Sequence, residues 1–171
     1  MKLWFRLICV FVESFFRRRL HPLSESVVHL TVWPNDLDLN LHMNNGRYLT
    51  VMDLGRLDLL IRCGLAGQAF KRRWQPLVGG VNVHYRYSLA PFQRYKLHSK
   101  VVAWDDKWFF IEQKFTRGNR LIALAHVKAL FRGSGRNITP KEILKAAHVN
   151  IDPPDVPQKI ETWLKMDETR N

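Results

Sequence analysis

The sequence predicts a single α+β domain in which a curved antiparallel sheet wraps around one long buried helix. Four segments between residues 81 and 131 alternate apolar and polar residues with the period of two that marks strands with one buried face. Ahead of them, residues 45–63 carry apolar residues around most of a helical circumference, so this helix should be largely buried. The 171 residues suffice for one domain with a sizeable core.

Residues 1–20 are expected to form an amphipathic N-terminal helix. Four charged residues share one narrow face of it, while apolar residues cover most of the remainder: Lys2, Arg6, Glu13 and Arg17. The charges leave the apolar run short of the roughly 20 residues that a spanning helix needs, and no small-residue cleavage site follows. We expect an interfacial helix with Arg17, Arg18 and Arg19 on lipid phosphates. A helix packed on its own domain or on a partner subunit remains the alternative.

A polar loop connects the first strand to the buried helix. The strand, Ser26 to Trp33, is rich in β-branched residues and stops at Pro34. Residues 35–45 then bring carboxylates, a His and several Asn to a helix N-terminus, where free N–H groups and the helix dipole attract anionic oxygen. Within the helix, Asp53 and Arg56 are one turn apart and are predicted to form a buried structural pair.

The remainder of the chain is predicted as a meander followed by a helical extension. Residues 66–75 look like a basic connector, and Gly79-Gly80 marks a turn or a close approach. Hairpin turns are expected at 105–107 and 117–120, a short helix from its cap at Thr139 to about Ala147, and a last helix over 158–165. With Ser26–Trp33 the sheet has five strands, and its open edge predicts dimerisation.

The chain is strongly basic, with 27 Lys and Arg against 15 Asp and Glu and a net charge of +12. Residues 59–104 contain eight bases and no acid. A phosphate-bearing ligand, an anionic membrane and nucleic acid all fit such an excess, as does a merely soluble surface. No RNA-recognition or zinc motif is present, so nucleic acid is not expected as a partner. The two cysteines, Cys9 and Cys63, have no metal-binding spacing.

The loop and the helix together resemble the motif of the hotdog-fold acyl-CoA thioesterases of the 4-hydroxybenzoyl-CoA thioesterase-like superfamily. The motif runs from Asp38 to Leu49 as DLNLHMNNGRYL, with Asp53 and Arg56 following, and the likeness covers residues 26–137. The apolar N-terminus, Asp152–Pro157 and Trp163 are similar to a branch with a hydrophobic N-terminal segment. The resemblance implies a hotdog domain at 26–137, preceded by the helix of residues 1–20 and followed by an extension at 138–171.

The resemblance also implies roles for individual residues. Asp38 matches the catalytic carboxylate, either as general base or as nucleophile, and the backbone N–H of Asn45 would polarise the thioester carbonyl. His42 and Asn44 would shape the loop and hold water or thioester, whereas Asp36 is read as a turn residue. Substrate contacts are expected from five residues: Met43, Tyr48, Met52, Arg72 and Arg73. The last two, with Lys71, would contact the phosphates of coenzyme A, and strand and turn bases such as Arg117 and Arg120 are the alternative. Leu54 stands where related proteins often carry a second acid, which leaves Asp53 committed to Arg56.

The function implied is hydrolysis of a fatty acyl-CoA thioester without metal or cofactor. A non-catalytic acyl- or lipid-binding adaptor at a membrane is the alternative. The expected partners are the acyl-CoA, a second copy in a homodimer or dimer of dimers, and an anionic membrane surface through residues 1–20. The expected location is cytoplasmic, with a peripheral place at the inner face of a membrane left open.

Overall fold

The computed structural model describes residues 3–168 and shows an antiparallel sheet curled around one long helix. Its strands are β1 (Ser26–Thr31), β2 (Gln75–Tyr85), β3 (Arg94–Trp104), β4 (Phe109–Arg117), β5 (Arg120–Gly133) and β6 (Arg136–Ile138). Its helices are α1 (Leu3–Phe16), α2 (Asn45–Arg62), α3 (Leu65–Lys71), α4 (Pro140–Ala146) and α5 (Gln158–Glu168). The described residues do not include Met1, Lys2 and residues 169–171. The expectations for Lys2 and for the end of the C-terminal extension therefore lie outside the described part of the chain.

The sheet has the strand order β1-β3-β4-β5-β2, and the short β6 pairs with β5. This confirms the predicted α+β class and the antiparallel meander, with β6 added to the five expected strands. Both predicted hairpins are present. In the first, the Asp105 carboxylate accepts N–H bonds from Lys107 (2.7 Å) and Trp108 (2.6 Å), and in the second Gly118 takes the positive φ of 56° that a tight turn requires.

The edge strand β2, predicted as the alternating segment from Val81 to Leu89, differs from its prediction at both ends. It begins at Gln75 and ends at Tyr85, and the preceding connector contains helix α3. Gly79-Gly80 is not a turn but an irregular step in the pairing with β5, where a side chain on Gly79 would collide with the indole of Trp108. Pro76 is tolerated because the strand lies at the sheet edge, where a missing N–H costs no ladder bond.

Helix α2 is the centre of the core. Its apolar side chains are largely enclosed by the sheet, as the sequence predicts; Tyr48, Val51, Met52, Leu54 and Leu59 are the most deeply buried. At Gly55 the helix lies so close to the sheet that an added Cβ would be 2.8 Å from Leu97 Cδ2 and 3.0 Å from Gln113 Nε2. The missing side chain therefore sets how near α2 can approach β3 and β4.

Helix α1 packs on its own domain, as in the alternative expected from sequence, with Arg6 and Ser14 facing inward and Glu13 exposed. Arg6, Val10 and Ser14 are buried, and Arg17 contacts the Asp58 carboxylate at 3.3 Å and the Val27 carbonyl at 2.8 Å. The outer face instead carries seven large exposed apolar side chains: Trp4, Phe5, Ile8, Phe11, Val12, Phe15 and Phe16. Arg17 is therefore occupied by the protein, contrary to its expected place on lipid phosphate. Across residues 3–168, no helix has the length and apolarity to cross a membrane.

The C-terminal extension matches its prediction in outline. Thr139 caps α4, since its hydroxyl accepts the N–H of Glu142 at 3.2 Å and Pro140 occupies the first turn. Helix α5 lies across the outer side of the sheet, where Lys128 contacts Asp167 and its ammonium group stands 5.7 Å from the ring of Trp163.

Candidate active site

The loop between β1 and α2 is closed on itself by backbone hydrogen bonds. Asn44 N–H donates to the Asp36 carbonyl (2.8 Å), and Asp38 N–H donates to the His42 carbonyl (2.9 Å). Leu37 and Met43 pair as an isolated antiparallel bridge between these bonds. The six residues from Asp38 to Met43 are thus held as a compact excursion at the entrance of α2, and its tip is exposed to solvent.

Asp38 is half-buried at the base of this excursion. Its Oδ1 accepts the N–H of Asn40 at 2.9 Å and that of His42 at 3.3 Å. Both donors use the same oxygen, and within the described residues nothing donates to Oδ2. The carboxylate is therefore oriented by its own loop while one oxygen stays available to a water molecule or a substrate.

The first turn of α2 supplies a hydrogen-bond donor, the N–H of Asn45, seven positions after Asp38 in the sequence. Asn44 is the N-cap, its Oδ1 accepting Gly46 N–H at 2.8 Å, and its carbonyl accepts Arg47 N–H at 2.9 Å. The N–H of Asn45 has no acceptor within the helix, because the first helical residues lack a preceding turn. Asn45 is an exposed residue, and it stands at the positive end of the α2 dipole.

The four residues predicted as catalytic are therefore gathered in one loop and one helix turn. The contacts of His42 with Asp38 run through its backbone, and its imidazole is exposed. Asn44 acts on the helix as a cap. The structure thus assigns loop-shaping contacts to His42 and Asn44, while their contact with a thioester remains a prediction.

Asp36 has a larger role than the turn expected from sequence. It is 1% exposed, and its carboxylate forms an ion pair with Arg6 of α1 and lies 3.2 Å from Arg47 Nε. It also accepts the N–H of Trp33 at 2.9 Å. Asp36 thus fixes both ends of the loop. The one sequence signal for this was Arg6, a charge that interrupts an apolar helix.

The predicted pair of Asp53 and Arg56 forms, but it is not buried as a whole. Asp53 is 66% exposed at its side chain, whereas Arg56 is 16% exposed and donates to Gln113 Oε1 at 2.7 Å. Burial lowers the pKa of Arg56, and the neighbouring Asp53 carboxylate opposes that shift. The pair stands at an apolar cavity of about 320 Å³ between the second half of α2 and the sheet.

The apolar cavity lies apart from the Asp38 loop, since none of residues 36–45 is among the residues that line it. Leu57, Leu60, Leu77 and Val78 are among the side chains that line it, and Asp53 and Arg56 are its charged lining. Asp53 follows Asn45 by eight residues, so the charged pair lies about 12 Å along the helix from the candidate oxyanion donor. Cys63 also lines the cavity, and burial raises its thiol pKa to about 11, which keeps it protonated at neutral pH and unsuited as a nucleophile.

The five residues predicted to bind substrate are not brought together. Met43, Tyr48 and Met52 are packed in the core and do not line the cavity. Arg72 and Arg73 follow α3, which comes after the far end of α2, and the 18 residues of α2 alone span about 27 Å. Among residues 3–168 there is also no group of three or more His, Cys, Asp and Glu side chains that could hold a metal ion.

Comparisons with known proteins agree with this architecture. Residues 32–164 match the family model of the thioesterase-like superfamily. Protein THEM6 of Danio rerio is 34% identical over 166 residues, which are 95% of this chain and 78% of that protein.

Two solved structures show the same fold at low identity. The YbaW probable thioesterase of Escherichia coli superposes with a TM-score of 0.66 at 18% identity, covering 70% of this chain and 94% of that one. The hypothetical protein SAV2348 of Staphylococcus aureus, solved in complex with CoA, superposes with a TM-score of 0.62 at 14% identity, covering 84% of this chain and 96% of that one. The family match and the Danio rerio relative show that this chain belongs to the thioesterase-like superfamily, as the motif from Asp38 to Leu49 predicts.

Proposed function

We propose that this protein hydrolyses the thioester of a fatty acyl-CoA at the loop that precedes α2. The observation that carries the proposal is the position of Asp38, whose carboxylate is held by the N–H groups of Asn40 and His42 in the loop that leads into α2. In the first turn of that helix, the N–H of Asn45 has no acceptor within the helix. Thioester hydrolysis needs a base or nucleophile on one side of the carbonyl carbon and donors to the carbonyl oxygen on the other. The loop offers both within eight residues.

In this mechanism the substrate carbonyl oxygen accepts the Asn45 N–H at the positive end of the α2 dipole. Negative charge develops on that oxygen in the transition state, and loss of one such donor costs about 3–4 kcal/mol in enzymes where it has been removed. Asp38 Oδ2 takes a proton from the attacking water or itself attacks the carbonyl carbon. In both routes the carbon–sulfur bond breaks, and the coenzyme A thiolate leaves and is protonated by solvent. Attack by water yields the free acid directly, whereas attack by Asp38 yields a mixed anhydride that a water molecule then hydrolyses to the free acid, restoring the carboxylate.

The apolar cavity beside α2 fits the acyl chain. Its side-chain lining is predominantly apolar, with Asp53 and Arg56 as its charged residues, which matches a methylene chain and offers little to a polar acyl group. A thioester placed at Asn45 lies about 12 Å from Asp53 along the helix, a distance that a two-carbon acyl group cannot span. The cavity therefore favours medium or long acyl chains.

The phosphates of coenzyme A have basic candidates near the loop. Tyr85, the last residue of β2, donates its hydroxyl to the Asn45 carbonyl at 3.1 Å, which places this end of β2 at the helix entrance. Arg120 lies on the adjacent β4–β5 turn, its guanidinium 4.8 Å from the ring of Tyr87. Arg120 is therefore proposed to contact the phosphates in place of Arg72 and Arg73, which follow the other end of α2.

A second copy of the chain is proposed to cover the site along β2. This edge strand exposes four apolar side chains by 36–46%, namely Leu77, Val78, Val81 and Tyr85. An exposed apolar edge of this length invites pairing with another strand. The strand borders the cavity at Leu77 and reaches the loop at Tyr85, so one partner pairing here would close both. Sedimentation should give a dimer or a dimer of dimers, and an active monomer would contradict this step.

The outer face of α1 is proposed to rest on an anionic lipid surface. This face exposes seven large apolar side chains, and Arg18 and Arg19, which follow the helix, are exposed as well. Each base near an anionic bilayer adds about 1 kcal/mol of attraction. Anionic lipid therefore matches both the apolar face and the charge of this region.

The proposal is tested by assaying release of free coenzyme A thiol from short-, medium- and long-chain acyl-CoAs. We expect turnover of the longer substrates and its loss in Asp38→Asn, a variant that keeps the side-chain shape. If no acyl-CoA is hydrolysed but acyl ligands bind, the protein is an acyl-binding adaptor and the hydrolytic function is refuted.

A further inference from the structure

Helix α1 reaches the candidate active-site loop through one buried side chain. Arg6, which is 2% exposed, projects from the inner face of α1 and forms an ion pair with Asp36. The two residues are 30 positions apart. Asp36 in turn accepts the Asn44 N–H through its carbonyl and holds Arg47 in the first turn of α2. An unbroken chain of contacts thus runs from α1 to the N-cap beside Asp38.

Because Arg6 is buried, its charge is costly unless Asp36 stays paired with it. Its Nε and Nη1, the Asp36 Oδ1 and the Tyr95 hydroxyl are buried without a hydrogen-bond partner within the described part of the chain. Burial also raises the pKa of Tyr95 above its ordinary value, so this hydroxyl stays neutral and offers no charge to replace either partner. A buried guanidinium with few hydrogen bonds depends on its carboxylate, and Asp36 depends equally on Arg6.

A second buried carboxylate anchors α1 away from the loop. Asp58 accepts Ser14 Oγ at 2.7 Å, bonds Ser26 Oγ, and lies 3.3 Å from nitrogens of both Arg17 and Arg62. It sits in the second half of α2, 14 residues after the N-cap, and touches no loop residue. The two anchors therefore hold the same helix, but only the one at Asp36 meets the candidate catalytic loop.

We propose that Arg6 is a positioning residue for the reaction, through which the placement of α1 sets the shape of the loop from Asp36 to Asn44. Arg6 contacts neither substrate nor Asp38. It fixes Asp36, and Asp36 fixes the distance between the base of the loop and the first turn of α2. The outer face of α1 is apolar and exposed. A lipid surface or protein that binds this face and shifts α1 would therefore change the conformation of the loop through Arg6 and Asp36. The inference rests on the proposed function for its kinetic consequence, but its structural part is independent.

The test compares Arg6→Met with Arg17→Met in the full chain. Arg6 lies within α1 and Arg17 directly after its last residue, and each substitution removes one guanidinium and leaves a buried carboxylate with its remaining partners. In Arg6→Met we expect kcat for a long-chain acyl-CoA to fall by about tenfold or more with KM within about twofold, because misplacement of reacting groups lowers the chemical step. Amide hydrogen exchange should accelerate over residues 36–47 and stay unchanged in β3 and β4. Arg17→Met should leave both readouts within about twofold of the wild type.

A conservative variant covers the case in which Arg6→Met does not fold. Arg6→Lys keeps the charge but not the planar fork, so kcat and loop exchange should lie between those of wild type and Arg6→Met. The proposal is overturned if Arg6→Met or Arg6→Lys folds with wild-type exchange in the loop, or if Arg17→Met loosens the loop equally. Absence of hydrolysis in the wild type would refute the proposed function alone, since the exchange comparison still decides the role of Arg6.

Discussion

The close seating of α2 on the sheet at Gly55 predicts that Gly55→Ala destabilises the protein. In an ordinary helix interior this change stabilises by about 0.5–1 kcal/mol. Here the new methyl group would meet Leu97 Cδ2 at 2.8 Å and Gln113 Nε2 at 3.0 Å, and it would also collide with Ser99 Oγ. Overpacking costs about 1–3 kcal/mol, so a net loss of about 1–2 kcal/mol is expected.

The cost rises if Gln113 is displaced. Its Nε2 donates to the Met52 carbonyl at 3.0 Å and to Ser99 Oγ at 2.8 Å, and a buried donor left without an acceptor costs about 1–3 kcal/mol more. For a chain of this length each kcal/mol corresponds to a shift of about 2–4 °C in Tm. Gly55→Ala should therefore lower Tm by at least about 2 °C in calorimetry.

Gly67→Ala in α3 is the matched control. An added Cβ at Gly67 meets nothing within 4 Å, so helix propensity alone applies and Tm should rise slightly. If Gly55→Ala instead raises Tm as Gly67→Ala does, α2 does not lie as close to β3 and β4 as described, and the placement of its N-terminus loses its support.

Three further predictions address the cavity, acid stability and the outer face of α1. Leu57→Trp fills the apolar cavity, so kcat/KM should fall about tenfold or more for long-chain but not short-chain acyl-CoAs; an equal fall for both would disprove acyl binding there. The hydrogen bond from His126, with help from Lys114, lowers the Glu112 pKa to about 2, so this carboxylate stabilises the fold above about pH 4.5 and loses that effect as the pH falls toward 2. In urea titrations carried out at several pH values, Glu112→Gln should therefore reduce the loss of unfolding free energy between about pH 4.5 and pH 2. An unchanged dependence of the unfolding free energy on pH would exclude Glu112 as its cause. Phe11→Ser with Phe15→Ser should abolish sedimentation with anionic vesicles while leaving the circular dichroism spectrum intact, and retained binding would exclude this face of α1.

The regular elements were predictable because their signals are local. The alternation in β3, β4 and β5 and the helical spacing in α2 each arise from one buried face, which a stretch of sequence records directly. The start of β2 was missed because Gln75 to Gly80 contains a proline, two glycines and an irregular pairing step, all of which hide the period of two.

The loop was identified from its motif, but its supports were not. The partner of Asp36 is Arg6, 30 positions earlier, which the sequence places on the charged face of the N-terminal helix without indicating a partner. Only the packing of α1 shows that Arg6 faces inward. The cavity escaped prediction for a similar reason, since its lining comes from four helices (α1 to α4) and four strands (β2 to β5), and no segment reveals it alone.

The most direct test of the account is the hydrolysis of a long-chain acyl-CoA by Asp38→Asn measured beside Asp53→Asn. Both variants remove one carboxylate from α2 or its entrance. The account predicts that Asp38→Asn lowers kcat by about a hundredfold or more, and that Asp53→Asn, at the cavity, changes KM more than kcat. A wild-type kcat in Asp38→Asn, with the loss found in Asp53→Asn instead, would move the chemistry to the cavity and contradict the central claim.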